Sequence, residues 1–557
     1  MIDRGNAGEE IYKRKVNRTM CNALRALAMM AGILVLYVGS IGAMAQDCAG
    51  LKSLAIDQTK IESAEAVPAG STIPMGMPGM QIGPLPAFCK VIGVIRDRTG
   101  ADGKNYGIRF ELRLPAPAAW NSKFFFQGGG GMDGSLSPAI GMTGRGMLTA
   151  LDRGYAVASD DGGHENPMDS SFGREQQARL DYAFESTPET VRAARQLIAS
   201  YYSKLPTHSY FVGCSNGGRE AMMDVERNPL DFDGAIAGDP GFRLTHAAIA
   251  EAWDTQAFVA AAPKDSAGNP ILSVSFSNSD LKLVADAVLA KCDALDGLKD
   301  GEINNMAACK ISPAELTCKG EKTASCLSPA QVKALEQSFG GAHDSNGNPL
   351  YSSWPYDAGI GDMGWRMWKL GTSQTAVPNA MNTTLGAMSL RDYFVHPYIQ
   401  DLTPMNLDFD RAAGETDQTA RINDAVSTDF STFAARGGKL IIYEGLSDPV
   451  FSADDIIDYY RQLERDNGGA EKSASFARLF LIPGMTHCGG GPATDQFDAL
   501  TALEKWVEQG EAPQSILAKG AAFPGRTRPL CPYPQYAAYN GSGDSQDAGS
   551  FTCKSPQ

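Results

Sequence analysis

Ser209-Tyr210-Phe211-Val212-Gly213-Cys214-Ser215-Asn216-Gly217-Gly218-Arg219-Glu220-Ala221-Met222-Met223 is the stretch that decides the fold. Its first four residues favour a β-strand, and the run from Gly218 reads as the start of a helix. Between them stands G-x-S-x-G, so the order strand, tight turn, helix is that of a nucleophile elbow. The glycines let the backbone turn sharply at a strained serine and leave room for the helix to pack close. The Ser215 hydroxyl would then stand clear of the sheet, over a helix N-terminus that favours developing negative charge. A plain Gly/Ser connection has the same pentapeptide; the flanks favour the elbow.

Outward from the elbow, strand-like runs alternate with helical ones. Residues 105–114 alternate in polarity, Lys123-Phe124-Phe125-Phe126-Gln127 reads as a short buried strand, and Tyr155-Ala156-Val157-Ala158-Ser159 as another. Thr187-Pro188 reads as N-cap and first residue of a helix with Val191, Ala194, Leu197, Ile198 and Tyr201 on one face. From 241 to 428 the rhythm is lost, and Trp354, Trp365 and Trp368 fall in this stretch. It resumes at Lys439-Leu440-Ile441-Ile442-Tyr443-Glu444-Gly445 and Arg478-Leu479-Phe480-Leu481-Ile482-Pro483. The pattern specifies an α/β fold with a mainly parallel sheet, an α/β-hydrolase interrupted by a large lid. The expected boundaries are a catalytic domain of 46–240 and 429–557 and a lid domain of 241–428.

Such a fold carries its triad in the order serine, acid, histidine, each on a loop after a strand. Ser215, Asp448 in Leu446-Ser447-Asp448, and His487 in Gly484-Met485-Thr486-His487-Cys488 satisfy both order and context. His487 would accept the Ser215 proton, and Asp448 would hold the imidazole's tautomer and stabilise its cation. The glycine-rich run Gly128-Gly129-Gly130-Gly131 follows a strand, so the N–H groups of Gly131 and Asn216 are the expected oxyanion donors. His164 also ends a strand but precedes Ser215, and the rival acids Asp239 and Asp160 sit on less suitable loops.

The chain of 557 residues can bury a large core. Its formal charge is -15, and roughly -18 falls beyond residue 45, which disfavours nucleic acid and anionic membranes as partners. Residues 23–43 are apolar behind a basic segment, and Ala43-Met44-Ala45 supplies a cleavage pattern. Residues 1–45 are read as a secretory signal, with Gln46 as the mature N-terminus and no membrane attachment after cleavage. A secreted or periplasmic monomer is expected. Eleven cysteines are present; Cys21 lies in the signal, and the even remainder implies disulfides. Local spacing suggests Cys292–Cys309, Cys318–Cys326 and Cys531–Cys553. Cys214 and Cys488 flank the serine and the histidine, so a triad would bring them together.

This Cys-Ser…Asp…His-Cys arrangement resembles the tannase/feruloyl esterase family, and the resemblance covers nearly the whole mature chain. The segments Phe211-Val212-Gly213-Cys214-Ser215-Asn216-Gly217-Gly218-Arg219-Glu220 and Arg526-Thr527-Arg528-Pro529-Leu530-Cys531-Pro532-Tyr533-Pro534-Gln535 carry it as well. It implies an α/β-hydrolase core with a lid, a small aromatic ester as substrate and no organic cofactor. It also implies the pairs Cys48–Cys89 and Cys214–Cys488 beside the three above. The chain is most similar to the members that cleave monoesters of terephthalic acid. Esterases of plant phenolics are the alternative, and a calcium-stabilised binding protein without turnover is the alternative of another class.

Asp293-Ala294-Leu295-Asp296-Gly297-Leu298-Lys299-Asp300-Gly301-Glu302 sets three aspartates and two glycines in one loop, a hard-oxygen pattern suited to Ca²⁺, though not an EF-hand. A solvated acidic loop is the plainer reading. The family resemblance implies a structural calcium held by the side chains of Asp293, Asp296 and Asp300 and the carbonyls of Leu298 and Glu302. It also implies Trp368 as the lid tryptophan against the substrate ring. The lid arginine that clamps a substrate carboxylate in terephthalate-monoester hydrolases falls near Asn382 and Thr384, where no arginine stands; Arg391 is nearby. Gly130, Trp368, Asn382, Thr384 and Arg391 are the candidate substrate contacts.

Overall fold

The computed structural model describes residues 47–74, 81–144 and 146–556. The signal-peptide reading of 1–45, Gln46 and Cys21 lie outside the described residues. Nine strands form the central sheet: β1 (Thr59–Val67), β2 (Phe88–Thr99), β3 (Asn105–Pro115), β4 (Lys123–Gln127), β5 (Ala156–Asp160), β6 (His208–Cys214), β7 (Gly234–Gly238), β8 (Lys439–Gly445) and β9 (Ala477–Ile482). Their spatial order is β1-β2-β3-β5-β4-β6-β7-β8-β9. The first three strands pair antiparallel, β3 meets β5 antiparallel, and every pair from β5 to β9 is parallel.

The parallel strands are buried on both faces. Phe124 and Phe126 of β4 enter one layer with Leu197 and Ile198 of α1 (Ser186–Tyr202), Met222 and Met223 of α2 (Asn216–Arg227) and Ile456 and Leu463 of the helix Ala453–Asp466. Phe125 enters the opposite layer with Leu500, Leu503 and Trp506 of the helix Ala499–Gln509. Alternate side chains of one strand therefore serve two cores, as the period of two requires.

Two local readings are corrected. The helix does not begin at Thr187: a helical turn Gln176–Leu180 and a π-turn Asp181–Glu185 run directly into α1. Pro188 has no N–H and its ring crowds the preceding turn, so the widened π-turn lets the helix continue through it. The sequence reading also passes over β1, β2 and β7. β7 is Gly-Ala-Ile-Ala-Gly, poor in β-branched residues, because its neighbours leave no room: a Cβ on Gly238 would lie 2.1 Å from the Tyr443 ring.

Among the described residues, no strand of the central sheet falls between Gly238 and Lys439. That stretch is helical, with α3 (Leu244–Ala261), α4 (Met363–Lys369) and α5 (Met381–Ser389). It has its own core, including Trp253, Phe258, Phe276, Leu335, Phe339 and Trp365. Cys292–Cys309 and Cys318–Cys326 close two of its loops, while Cys48–Cys89, Cys214–Cys488 and Cys531–Cys553 lie outside it. No helix among the described residues is long and apolar enough to cross a membrane.

Candidate active site

β6, β7, β8 and β9 are parallel neighbours, so their C-terminal ends open on one edge of the sheet. The loops there bring together Ser215 after β6, Asp448 after β8 and His487 after β9. His487 Nε2 lies 2.8 Å from Ser215 Oγ, and His487 Nδ1 lies 2.7 Å from Asp448 Oδ2. Asp448 is 4% exposed, and its Oδ1 accepts the N–H groups of Val450 and Phe451 at 2.6 and 3.1 Å. Those bonds leave Oδ2 to face the imidazole.

Ser215 has φ 63° and ψ −126°, a backbone conformation that side-chain-bearing residues rarely adopt. Close packing holds it there. A Cβ on Gly213 would lie 2.3 Å from the Gly217 carbonyl oxygen, and one on Gly217 would lie 2.6 Å from that of Gly129. Asn216 opens α2, where the first N–H groups have no intrahelical acceptor. Its N–H is thus left without an acceptor within the helix.

A buried polar network ties the glycine loop to the elbow. Asn216 Nδ2 donates to Asp133 Oδ1 and Glu220 Oε1 at 2.5 and 2.8 Å, and Glu220 Oε2 accepts from the Gly129 N–H at 2.9 Å. The Tyr182 hydroxyl donates to the Gly131 carbonyl at 3.1 Å. Burial, then the charges of Glu220 and Asp160, push the Asp133 carboxyl well above the usual range. Sequence reasoning missed Asp133, Tyr182 and Glu220; only the i, i+4 spacing of Asn216 and Glu220 on one helix was a local sign.

Burial pulls the His487 imidazole down, but the Asp448 charge and hydrogen bond and the charges of Asp239 and Glu251 outweigh it, so its pKa is raised. The rival His164 is buried, stacks on Phe172 with ring centroids 3.7 Å apart, and is pushed down to about 4, first by desolvation. It is a neutral core residue.

Over the histidine, the Trp368 ring of α4 stands edge-on at 5.4 Å, and Phe451 stands at 5.4 Å. The helical stretch between β7 and β8 also reaches the loops of Asp448 and His487: Asp357 Oδ2 accepts from Ser447 Oγ at 2.8 Å and from the Gly484 N–H at 2.6 Å. A Cβ on Gly130 would meet nothing within 4 Å, so this position leaves open space. Asn382 of α5 is fully buried with neither amide atom hydrogen-bonded. Thr384 Oγ1 donates back to the Ala380 carbonyl at 3.1 Å. Arg391 is held by Asp392 Oδ2 at 2.6 Å, and Arg174 shares that carboxylate at 2.5 Å.

In the acidic loop, Gly297 and Gly301 have φ of 99° and 90° and fold the chain back on itself. Asp293 Oδ1 accepts the N–H groups of Asp300 and Gly301 at 3.0 and 3.1 Å, and Asp296 Oδ2 accepts from Asn304 Nδ2 at 2.9 Å. Asp300 pairs with Arg528, and Glu302 with Arg526 at 3.1 Å. Burial pushes Asp296 up to about 6 and raises Asp293. The donor set is all oxygen and suits a hard cation. Among the described residues, no three acidic side chains of this loop bring ligand atoms within 4.8 Å of one another, as Asp239, Asp448 and His487 do.

Fold and site together define an α/β-hydrolase. The chain belongs to the tannase and feruloyl esterase family, whose model matches residues 89–554, and it is a carboxylic-ester hydrolase. It is 43% identical over 521 residues to the mono(2-hydroxyethyl) terephthalate hydrolase of Piscinibacter sakaiensis, covering 85% of each chain. It is 28% identical over 471 residues to a probable feruloyl esterase of Arthroderma benhamiae, covering 81% of this chain and 83% of that one. The crystal structure of feruloyl esterase B from Aspergillus oryzae shares the fold, with a TM-score of 0.77 at 24% identity over 91% of this chain and 99% of that one.

Proposed function

We propose that Ser215, His487 and Asp448 are the catalytic triad of an exported serine esterase for small aromatic-acid esters. The single observation that carries the reading is the continuous hydrogen-bond line from Ser215 Oγ through His487 to Asp448. His487 Nε2 takes the Ser215 proton as Oγ attacks the ester carbonyl. The N–H groups of Asn216 and Gly131 receive the oxyanion, and the imidazolium returns its proton to the leaving alcohol. Water then repeats the sequence on the acyl-enzyme. Trp368 is the wall against the aromatic acid. The five disulfides fit an oxidising compartment, in keeping with the signal read in 1–45.

The named relative that hydrolyses mono(2-hydroxyethyl) terephthalate makes that monoester the first substrate to test. The surroundings of His487 favour a neutral acid moiety instead, as in methyl ferulate. Asp448 faces the imidazole, burial pushes both Asp239 and Glu251 up to about 8, and Arg391 is committed to Asp392, so none of these groups offers a cation to a substrate carboxylate. A missing charge-assisted clamp is worth about 1.5–3 kcal/mol, or about ten- to a hundredfold in affinity. Across mono(2-hydroxyethyl) terephthalate, methyl ferulate and methyl gallate, kcat/KM is expected to be highest for a neutral ester. A preference of a hundredfold or more for the terephthalate monoester would place a cation in the cleft and refute the charge argument. No turnover of any aromatic ester would sink the substrate class.

The loop 293–302 is proposed to hold a structural Ca²⁺ through the side chains of Asp293, Asp296 and Asp300 and the carbonyls of Leu298 and Glu302. When bound, the ion neutralises the two aspartates that no lysine or arginine hydrogen-bonds among the described residues. Binding only the folded state, it stabilises that state by mass action, about 2.7 kcal/mol at a hundred times Kd. EDTA, or Asp293→Ala with Asp296→Ala, is expected to lower Tm and leave kcat of the remaining folded enzyme unchanged. Elemental analysis of the purified protein without calcium, together with a Tm indifferent to EDTA, would remove the site.

A further inference from the structure

Asp239 stands between the two loops of the triad and belongs to neither. It follows β7, the strand that separates the serine strand from the acid strand. Its side chain is fully buried. One oxygen accepts the Gly445 N–H at 2.7 Å, at the foot of the Asp448 loop; the other accepts the Cys488 N–H at 2.7 Å, next to His487. The latter oxygen also lies 3.7 Å from Cys214 Sγ of the disulfide. The backbone at Asp239 has φ 35°, a conformation uncommon for a side-chain-bearing residue and held here by the N–H bond to the Tyr443 carbonyl at 2.8 Å. Most telling, ligand atoms of Asp239, Asp448 and His487 all lie within 4.8 Å of one another. Two carboxyls thus converge on one imidazole.

We propose that Asp239 is a second positioning carboxyl of the triad, which in the enzyme braces the Asp448 and His487 loops and which takes over the imidazole when Asp448 is lost. The inference rests on the triad reading above. Two carboxylates this close cannot both ionise cheaply, so one is held neutral by the other. Burial and then the Asp448 charge push Asp239 up to about 8, which identifies it as the neutral partner. The titratable groups facing it are Tyr443 and Glu444 of β8, Asp448, and His487; from the elbow it meets the disulfide at Cys214 Sγ, which does not titrate. Removing the Asp448 charge removes the second of the two causes that keep Asp239 neutral and leaves burial, so the carboxyl ionises more readily than in the wild type. Its ionised carboxylate is then within a side-chain rotation of the imidazole, where it can hold the tautomer and stabilise the cation.

The test is a double-mutant cycle read as kcat/KM with p-nitrophenyl acetate. In a triad with a single buried acid, replacing it by the amide costs about ten-thousandfold. Here Asp448→Asn is expected to cost only about a hundred- to a thousandfold. Asp239→Asn in the wild type is expected to cost less than tenfold, since the amide oxygen still accepts one backbone N–H. In the Asp448→Asn background the same change should cost at least ten times the factor it costs in the wild type. A brace without acid character predicts equal factors in the two backgrounds, and that result overturns the proposal.

A pH profile supplies the readout that a structural role would not move. Residual activity of Asp448→Asn should keep its acidic limb above the ordinary imidazole value of about 6.5. The double variant should show that limb at or below it. Should Asp239→Asn not fold, the limb of Asp448→Asn alone decides, and a limb at or below the imidazole value refutes the idea. Wild-type enzyme that is inactive, or indifferent to Ser215→Ala, would instead sink the triad reading itself.

Discussion

Ser215→Ala is expected to lower kcat for p-nitrophenyl acetate by about a million-fold, the loss seen when one member of an interdependent triad is removed. His487→Ala should cost about as much, and the double variant little more, because neither group has a catalytic use without the other. Folding should survive, because the alanine keeps the elbow backbone and gives up only a half-buried hydroxyl. The pH profile supplies the sign. Attack requires neutral His487, whose folded pKa lies above the usual 6.5 because the Asp448, Asp239 and Glu251 charges outweigh desolvation. The kcat/KM should therefore be flat at higher pH and fall as pH drops through a value above 6.5. A limb below that value would mean that Asp448 does not act on the imidazole.

The second large effect is expected from Cys214→Ala with Cys488→Ala. This disulfide joins residues 274 apart in sequence and ties the residue before Ser215 to the residue after His487. By the chain-entropy model, closing so long a loop contributes on the order of 5 kcal/mol. For a protein of this size that is a fall in Tm of about 5 °C. Activity should fall further than stability alone explains, about a hundredfold, because a shift of about an ångström between reacting groups costs that much. The other four disulfides should map intact by mass spectrometry of the unreduced protein. Full activity with an unchanged Tm in this variant would show that the triad loops are held by packing and by Asp239 alone.

The legible part of this molecule is local in sequence. The elbow was readable because strand, G-x-S-x-G and helix are contiguous, and Ser215 indeed takes a positive φ between β6 and α2. Asp448 and His487 were readable because chain order and strand ends single them out, and the structure brings both to Ser215. The Cys214–Cys488 pair followed once those two were joined. What could not be read depends on tertiary contact. β7 hides because close packing against Tyr443 selects glycine over β-formers. The Asn216–Asp133–Glu220 network joins residues whose burial no local pattern reveals. Asp239 reads as a rival acid on a less suitable loop until the sheet sets β7 between β6 and β8 and so places it beside Asp448. The stretch between β7 and β8 hides its contacts for the same reason: Trp368 reaches His487, Asp357 reaches the loops of Asp448 and His487, and Arg391 turns to Asp392 instead.

The most direct measurement of the central claim is the intact mass and peptide map of the enzyme after treatment with diisopropyl fluorophosphate. An activated serine displaces fluoride and keeps the phosphoryl group as one stable adduct. The account predicts a single adduct on the peptide containing Ser215, formed in step with loss of esterase activity and absent from His487→Ala. Inactivation with the label on any other residue, or full activity after Ser215 is labelled, would contradict it.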